Sequence, residues 1–200
     1  MKNVPAASLS TRFLQMLLIW LLLPGGWLLG EGGARSAGEY QVKAVFLYNF
    51  TKFVYWPEAP GAPGAARSPF VIGILGEDPF GAALAAAVRQ ESVQGRPIVI
   101  QQFQSGDSIA GCNILFIARS EKDRLDTVLQ QARGRAILTV ADTAKAAEQG
   151  VMINLSLDDG SVKMEINQQA VESAGLKVSA KLLSLAKIIN PKADQPPSRP

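Results

Sequence analysis

Short apolar runs that alternate with helix-like segments constrain the fold of this chain more than any other feature. Each run is short and continuously apolar, which is typical of a strand buried on both faces of a sheet. The runs are FVIGILG (70–76), RPIVIQQF (96–103), CNILFIA (112–118) and RAILTV (135–140). Such alternation favours parallel pairing with helices on both faces. We therefore expect an α/β fold, a single compact three-layer domain over residues 38–190 with a mostly parallel sheet.

Capping residues indicate where the intervening helices begin. Asp78 and Pro79 are typical of an N-cap and a first helical residue. Ser120 is expected to cap a second helix, which stops at Gly134. Asp142 is expected to cap a third, short helix.

The pattern changes to antiparallel after residue 150. The segments VMINLSL (151–157) and SVKMEIN (161–167) flank a turn at 158–160, which predicts a C-terminal antiparallel hairpin at one edge of the sheet. Asn167 is expected to cap the next helix. A last helix, AKLLSLAKII (180–189), is predicted by apolar residues at helical spacing. Those residues are Val178, Leu182, Leu185, Ala186 and Ile189.

Residues 40–57, YQVKAVFLYNFTKFVYWP, hold seven of the chain's fourteen aromatic residues. Helical spacing predicts an amphipathic helix that ends at Pro57. Its core-facing stripe is expected to be Val42, Val45, Phe46, Asn49, Phe50, Phe53 and Trp56. The opposite side carries Tyr48, Thr51 and Tyr55 instead of charges. The helix is therefore expected to be covered on more than one side, and a Pro/Gly/Ala-rich loop (57–69) follows it.

The two ends of the chain are predicted to lie outside the folded domain. Residues 1–37 combine a basic start, an apolar core and small residues, which is typical of a cleaved signal peptide; an uncleaved membrane anchor is the alternative. Residues 191–200 are polar and rich in proline, and we expect them to be disordered. Without residues 1–37 the net charge falls from +3 to about +1, which gives no support to nucleic-acid binding.

Composition argues against most catalytic and metal-binding chemistry. The chain has no histidine and a single cysteine, Cys112, so the commonest general base and metal ligand is absent. Cys112 precedes an apolar run, which favours a buried thiol over a reactive or inter-chain one. The acidic residues form no convincing metal cluster. We therefore expect no catalytic residues, no metal and no cofactor.

Two weaker patterns define rival functions. A solute-binding module would place a small aromatic or amino-acid-like ligand near Gly76–Gly81, beyond the first strand, where α/β folds usually bind ligands. An exported hydrolase would use Ser184 and Lys187, which match a Ser-x-x-Lys spacing. That short match is also what an ordinary solvent-facing helix produces.

The C-terminal hairpin is the better candidate for an interaction surface. Period-2 alternation places Val162, Met164 and Ile166 on one face of the second strand and Glu165 on the other. An edge hairpin with apolar residues beside a carboxylate is suited to seating a partner protein. The alternative is a hairpin that simply exposes one face to solvent.

A resemblance to a known family rests on six segments in order. They are VKAVFLYNFTKFVYWP, ILGEDPFG, GCNILFIA, AILTVAD, GVMINL and VKMEINQQAVESAGLKVSAKLLSLAKII. The chain resembles the YfiR-like family over residues 38–190. The resemblance implies a compact α/β domain that tends to dimerise and a periplasmic inhibitor of an inner-membrane diguanylate cyclase. It also implies an outer-membrane lipoprotein that sequesters the inhibitor. Family members often carry several cysteines, so redox sensing through a disulfide is doubtful here.

These observations predict a periplasmic, non-enzymatic regulator that lowers cyclic-di-GMP output. Its expected partner is the periplasmic domain of a diguanylate cyclase or a sensor kinase, and a homodimer is also expected. The candidate partner contacts are Ile153, Glu165 and Val171 near the hairpin, with Tyr48 and Tyr55 on the aromatic helix. The face that carries the two tyrosines is alternatively the homodimer seam.

Overall fold

A computed structural model describes residues 31–57 and 68–190. Residues 1–30 of the predicted signal peptide, the predicted C-terminal tail and most of the predicted loop at 57–69 lie outside these ranges, whereas residues 31–37 of the predicted signal peptide lie in the first helix. No helix within them is long and apolar enough to span a membrane.

The described residues form a three-layer α/β structure, as the sequence predicts. The helices are α1 (Glu31–Phe53), α2 (Ala82–Ala87), α3 (Leu125–Ala132), α4 (Gln168–Ser173) and α5 (Ala180–Leu183), with a 3₁₀ helix at Arg119–Arg124. The strands are β1 (Val54–Tyr55), β2 (Phe70–Leu75), β3 (Ser92–Val93), β4 (Arg96–Phe103), β5 (Ile114–Ile117), β6 (Leu138–Ala141), β7 (Ile153–Asp158), β8 (Ser161–Asn167), β9 (Lys177–Val178) and β10 (Lys187–Ile189).

Eight strands form the central sheet, in the order β10-β8-β7-β6-β5-β2-β4-β3. Strands β4, β2, β5, β6 and β7 run parallel, whereas β8 is antiparallel to β7 in the predicted hairpin. Among the strands of this sheet β2 comes first in the chain, and it has β4 on one side and β5 on the other. The chain therefore changes direction across the sheet at β2, and the carboxyl ends of these strands form the crevice where such folds usually bind ligands.

Apolar side chains fill a core on each face of the sheet. One core lies under α1, α2, α4 and α5, and includes Leu47, Phe50, Leu84, Val171 and Leu182. The other lies under α3 and the turns at 143–150, and includes Leu125, Val128 and Ala132. Strand β5 is buried along its whole length between them, as its continuously apolar sequence predicts.

The buried face of α1 differs from the prediction. The side chains that the helix and the following strand bury are Tyr40, Lys43, Ala44, Leu47, Phe50, Thr51 and Val54. Val42 and Val45, which were expected in the core, are about half exposed. Ala44 and Leu47 lie in the core on this face of the sheet, and the charge of Lys43 is neutralised there by carboxylates. The helix also ends at Phe53, because Val54 and Tyr55 pair with β9.

Three predicted caps act differently. Asp78 accepts a hydrogen bond from the backbone N–H of Phe80 (2.8 Å) in a turn, and α2 begins only at Ala82. Ser120 lies inside the 3₁₀ helix, where its hydroxyl accepts from the N–H of Glu77 (2.9 Å). Residues 143–150 form turns and no helix, and the Asp142 side chain, which was expected to cap one, belongs to a buried ionic cluster instead.

The C-terminal segment is partly a strand and not one long helix. Helix α5 ends at Leu183, and Lys187–Ile189 pair in parallel with Glu165–Asn167 of β8. Pairing with an open sheet edge therefore overrides the helical periodicity of AKLLSLAKII. The prediction for Asn167 is confirmed, since its side chain caps α4 by accepting from the N–H of Ala170 (2.9 Å).

Candidate interaction surface

A row of three polar side chains crosses the end of the sheet formed by β7, β8 and β10. The register places Asn154, Glu165 and Lys187 side by side. The Asn154 amide donates to one carboxylate oxygen of Glu165 (3.2 Å), and the Lys187 ammonium lies 3.3 Å from the other. Asn154 is buried and the side chain of Lys187 is exposed. The buried Asn154 amide thus fixes the Glu165 carboxylate on one side, while the ion pair with Lys187 on the other side is open to solvent.

An apolar groove lies beside this row. The groove has a volume of about 740 Å³, and Phe46 of α1 and Leu185 belong to its lining. Leu185 is 68% exposed and Leu157, also in the lining, is 45% exposed. Charged residues at the same groove are Asp158, Lys163, Glu165 and Lys187. Exposed apolar residues beside charged ones are typical of protein interaction sites.

A second groove lies beside the end of α5, where Leu183 belongs to its lining. It has a volume of about 470 Å³ and an apolar lining of Val171, Leu176, Val178 and Leu183. Lys177 also lines it, and the β1–β9 register places Lys177 opposite Tyr55. Leu183 of this groove and Leu185 of the first groove are separated by one residue. The segment 183–187 therefore connects the two grooves.

Comparison with known families decides the class of protein. A family model described as YfiR/HmsC-like matches residues 40–187, which include α1 from Tyr40, the hairpin and both grooves. The chain belongs to the YfiR/HmsC-like family. This family is regulatory and non-catalytic, is found in the periplasm, and is associated with diguanylate cyclases. The resemblance seen in the sequence is confirmed.

The YfiR/HmsC-like domain places the five predicted contact residues at different depths. Glu165 lines the first groove and Tyr55, which is 57% exposed, lies beside the second. Val171 lines the second groove but is buried, and Ile153, the first residue of β7 in the hairpin, is fully buried. Tyr48 lines neither groove, and its hydroxyl donates a hydrogen bond to the Glu91 carboxylate. Glu165 and Tyr55 are therefore accessible from solvent, whereas Ile153 and Val171 are buried beneath the surface.

An ionic cluster that the sequence analysis missed lies at the carboxyl end of β6. The Asp142 carboxylate accepts from the Tyr40 hydroxyl (2.7 Å) and the Lys43 ammonium (2.8 Å), and Arg119 lies 3.2 Å away. Glu39 also pairs with Lys43 and, at 3.1 Å, with Arg119. The side chains of Lys43 and Asp142 have no solvent exposure. Lys43, a charged residue inside the aromatic segment, was the only local sign of this cluster in the sequence, and its partner Asp142 is 99 residues away in the chain.

Burial and hydrogen bonding change the ionisation of Tyr40. Desolvation is the main cause, followed by the hydrogen bond to Asp142, and together they raise the pKa of the Tyr40 hydroxyl well above its usual value of 10. The protonated hydroxyl is the form that can donate to Asp142. The cluster thereby anchors α1 to the sheet.

The crevice at the carboxyl ends of β2 and β4 is acidic. Its volume is about 560 Å³, and its lining includes Glu77, Asp78, Gln102 and Glu121. Glu121 is buried, and one of its carboxylate oxygens accepts from the Ser105 hydroxyl (2.6 Å). Because the crevice is lined by three carboxylates, it suits a solute with an amine better than an anion. No group of three metal-ligating side chains occurs in ranges 31–57 and 68–190.

The structure separates the two residues of the hydrolase hypothesis. The Ser184 hydroxyl donates to the carbonyl of Lys181 (2.9 Å), whereas the Lys187 ammonium pairs with Glu165 across strands. The Ser-x-x-Lys spacing assumed a helix, but Lys187 lies in β10. The hypothesis of a Ser184–Lys187 dyad is therefore wrong.

Cys112 is a buried thiol, as predicted. The residue is free and lies in the core beneath α3. Burial raises the pKa of the thiol to about 11, so little of the reactive thiolate forms at neutral pH.

Proposed function

We propose that this protein is an exported, non-enzymatic regulator that binds the periplasmic sensor domain of an inner-membrane diguanylate cyclase and represses it. Repression would lower the output of cyclic-di-GMP. The observation that carries the proposal is the apolar groove beside Glu165, with Leu185 exposed within it. Membership of a regulatory periplasmic family supports it.

The grooves suggest how a partner would be held. An apolar side chain of the partner would enter the first groove between Phe46 and Leu185. A basic side chain of the partner would compete with Lys187 for Glu165, because the Lys187 side chain is exposed and its ion pair is weak. Tyr55 would contact the partner beside the second groove. Ile153 and Val171 would shape the surface from beneath.

Other proposed interactions follow from the family. An outer-membrane lipoprotein would release repression by occupying the same surface, so that cyclase and lipoprotein compete. A sensor kinase with a periplasmic domain is the alternative target. We also propose that the protein is a homodimer, and that residues 1–37 are its cleaved signal peptide.

Charge reversal at Glu165 tests the proposal. In the protein's own host, Glu165→Lys should raise cyclic-di-GMP to the level of a strain that lacks the protein, because a lysine there repels Lys187 and any basic group of the partner. The Glu148→Lys variant is the matched control, since Glu148 is exposed on a turn and lines neither groove. Repression that survives Glu165→Lys, in a protein of normal thermal stability, would exclude Glu165 from the contact.

A second candidate function, a solute-binding module that feeds a histidine kinase, is favoured by the acidic crevice alone. An amine-bearing amino-acid-like ligand would pair with Glu77, Asp78 or Glu121. Such a ligand at a hundredfold excess over Kd would stabilise the protein by about 2.7 kcal/mol. Thermal-shift screening should show this with cationic metabolites, and Glu121→Gln should reduce it. The absence of any shift would eliminate this candidate and leave the regulator proposal untouched.

A further inference from the structure

A cavity that neither of the proposed functions uses lies at the amino ends of β6 and β7. Its volume is about 390 Å³, and α3, the turn before β7 and α4 all contribute to its lining. The side chains that α4 contributes are small, which leaves the space open: Ala170, Ser173 and Ala174. The acidic crevice lies at the carboxyl ends of the parallel strands, so the two sites are at opposite ends of the sheet. A cavity of this size can hold a small molecule.

Two opposite charges line this cavity without pairing. Asp126 and Arg133 are seven residues apart on α3 and its end. Seven residues are about two helical turns, so both lie on one side of the helix with Cα atoms about 10 Å apart. Both are exposed, and neither forms an ion pair with another residue of the described ranges. A free carboxylate and a free guanidinium at one cavity suit a ligand that carries both charges.

Polar groups between the two charges suit a peptide bond. Gln130 lies between Asp126 and Arg133 on the same side of α3, and Gln149 lines the cavity from the turn before β7. Each amide can donate and accept a hydrogen bond, as a peptide group does. The Thr139 side chain adds a donor at the buried end of the cavity.

Thr139 is 1% exposed, and its hydroxyl oxygen accepts from the N–H of Met152 (3.1 Å). Among residues 31–57 and 68–190 the hydroxyl proton of Thr139 has no acceptor. A buried donor without an acceptor is costly. A carbonyl oxygen of a ligand in the cavity would remove that cost.

The spacing of the charges sets the length of the ligand. Side chains on a helix lean toward its N-terminus, so the longer arginine narrows the gap between the two charges to less than 10 Å or so. A single amino acid spans only about 3.5 Å, whereas an extended dipeptide spans about 7 Å. We infer that this cavity binds a short zwitterionic peptide, and a dipeptide best. Its ammonium pairs with Asp126 and its carboxylate with Arg133.

The apolar part of the lining accommodates a side chain of the peptide. Leu129 and Met152 provide it, and both lie beside the buried hydroxyl and the amides already described. The ligand expected is therefore a dipeptide with an apolar residue. The inference does not depend on the proposed function, because the first groove and the acidic crevice share none of these lining residues.

Calorimetric titration of the purified protein with alanyl-leucine tests the inference. Three analogues each lack one feature: N-acetyl-alanyl-leucine has no ammonium, alanyl-leucine amide has no carboxylate, and leucine is too short to reach both charges. Alanyl-leucine should bind most tightly. Each analogue should bind at least about threefold more weakly, as expected for the loss of an ion pair between exposed groups.

Charge variants assign each end of the peptide to one residue. In Arg133→Gln the preference for alanyl-leucine over its amide should disappear, while the preference over the acetylated form remains. Asp126→Asn should show the reverse. A change that acted only through the structure would weaken all ligands equally. Both positions are exposed, so folding should be unaffected.

Glu121→Gln is the matched control, since Glu121 lines the acidic crevice and not this cavity. It should leave the affinity for alanyl-leucine unchanged. The inference would be overturned if alanyl-leucine failed to bind at millimolar concentration, if leucine bound as tightly, or if both preferences survived in both variants. Loss of binding in Glu121→Gln alone would place the peptide in the acidic crevice, which also overturns it. None of these results bears on repression of a cyclase.

Discussion

Lys43 and Asp142 form an ion pair of 2.8 Å between two side chains that have no exposure to solvent. The pair connects α1 to the end of β6, and Tyr40, Glu39 and Arg119 complete the cluster around it. The first groove of the candidate surface is lined in part by Phe46 of the same helix. The cluster therefore fixes the position of a residue that lines the first groove, although it lies outside the groove itself.

Removal of Lys43 should be strongly destabilising. Lys43→Met leaves the carboxylates of Asp142 and Glu39 buried with fewer cations, and breaking a buried pair typically costs 3–5 kcal/mol. We expect the free energy of unfolding to fall by about 3 kcal/mol, at the lower end of that range, because Arg119 still pairs with both carboxylates. Urea unfolding measures it. Lys52→Met on the exposed side of α1 is the control and should change stability much less; equal losses would contradict a structural role for the ion pair.

The hydroxyl of Tyr40 should give stability a distinctive dependence on pH. Tyr40→Phe removes a hydrogen bond to a charged acceptor and should cost about 1.5–3 kcal/mol at pH 7. The pKa of Tyr40 is raised in the folded protein, so below pH 10 the hydroxyl is protonated in both states and its contribution is fully present. Above pH 10 the unfolded chain loses this proton first. Wild-type stability should then fall more steeply than that of Tyr40→Phe, by up to about 1.4 kcal/mol per pH unit.

Urea unfolding of both proteins between pH 8 and 11 measures this difference. Because both retain the same lysines and arginines, the other alkaline titrations largely cancel. Parallel curves above pH 10 would show that the Tyr40 hydroxyl ionises as readily in the folded protein as in the unfolded one.

The sheet could be predicted from the sequence because its determinants are local. Phe70–Leu75 and Ile114–Ile117 are short apolar runs, and the hairpin of β7 and β8 turns at Asp158–Gly160, as its sequence indicates. The buried face of α1 could not be predicted. It includes Lys43, whose burial depends on Asp142, and no local pattern indicates that contact.

The candidate surface was predictable only in part, for a similar reason. Glu165 was identified from strand alternation. Leu185, the most exposed apolar residue in the groove, was placed on the apolar stripe of a predicted last helix. It is exposed because the chain leaves α5 after Leu183 to form β10, a pairing with β8 that depends on the folded sheet.

Gly76 should be intolerant of any side chain. It has a positive φ of 89°, and a Cβ there would lie 2.9 Å from Cγ of Glu121 and closer still to the Ser120 hydroxyl. Gly111 has a similar φ of 91° with open space around it. Gly111→Ala should therefore cost about 1–2 kcal/mol from backbone strain alone. Gly76→Ala should cost about 1–3 kcal/mol more, from overpacking.

Thermal or urea unfolding of the two glycine variants measures the difference directly. Adding Ser120→Ala to Gly76→Ala should recover part of the loss, because it removes the nearest obstructing atom. Equal stabilities of Gly76→Ala and Gly111→Ala would mean that the turn after β2 can open, which would also make the acidic crevice larger than the structure shows.

Leu185→Asp should abolish repression without unfolding the protein. Leu185 is 68% exposed, so its replacement should change the free energy of unfolding by no more than about 0.5 kcal/mol. An aspartate in the first groove would disfavour the burial of an apolar side chain of the partner and would repel the Glu165 carboxylate. We expect binding of the partner to weaken at least about tenfold, and cyclic-di-GMP in the host to rise.

The matched control for Leu185→Asp is Val42→Asp, which places the same charge at an exposed apolar position of α1 that does not line the groove. It should leave both stability and repression unchanged. Loss of repression in Val42→Asp alone would move the contact to the exposed side of α1. Loss in both variants would indicate a broad interface that covers α1 and the groove together, because Phe46 joins them. Full repression by Leu185→Asp would remove the groove from the mechanism and leave the second groove, beside Tyr55, as the remaining surface.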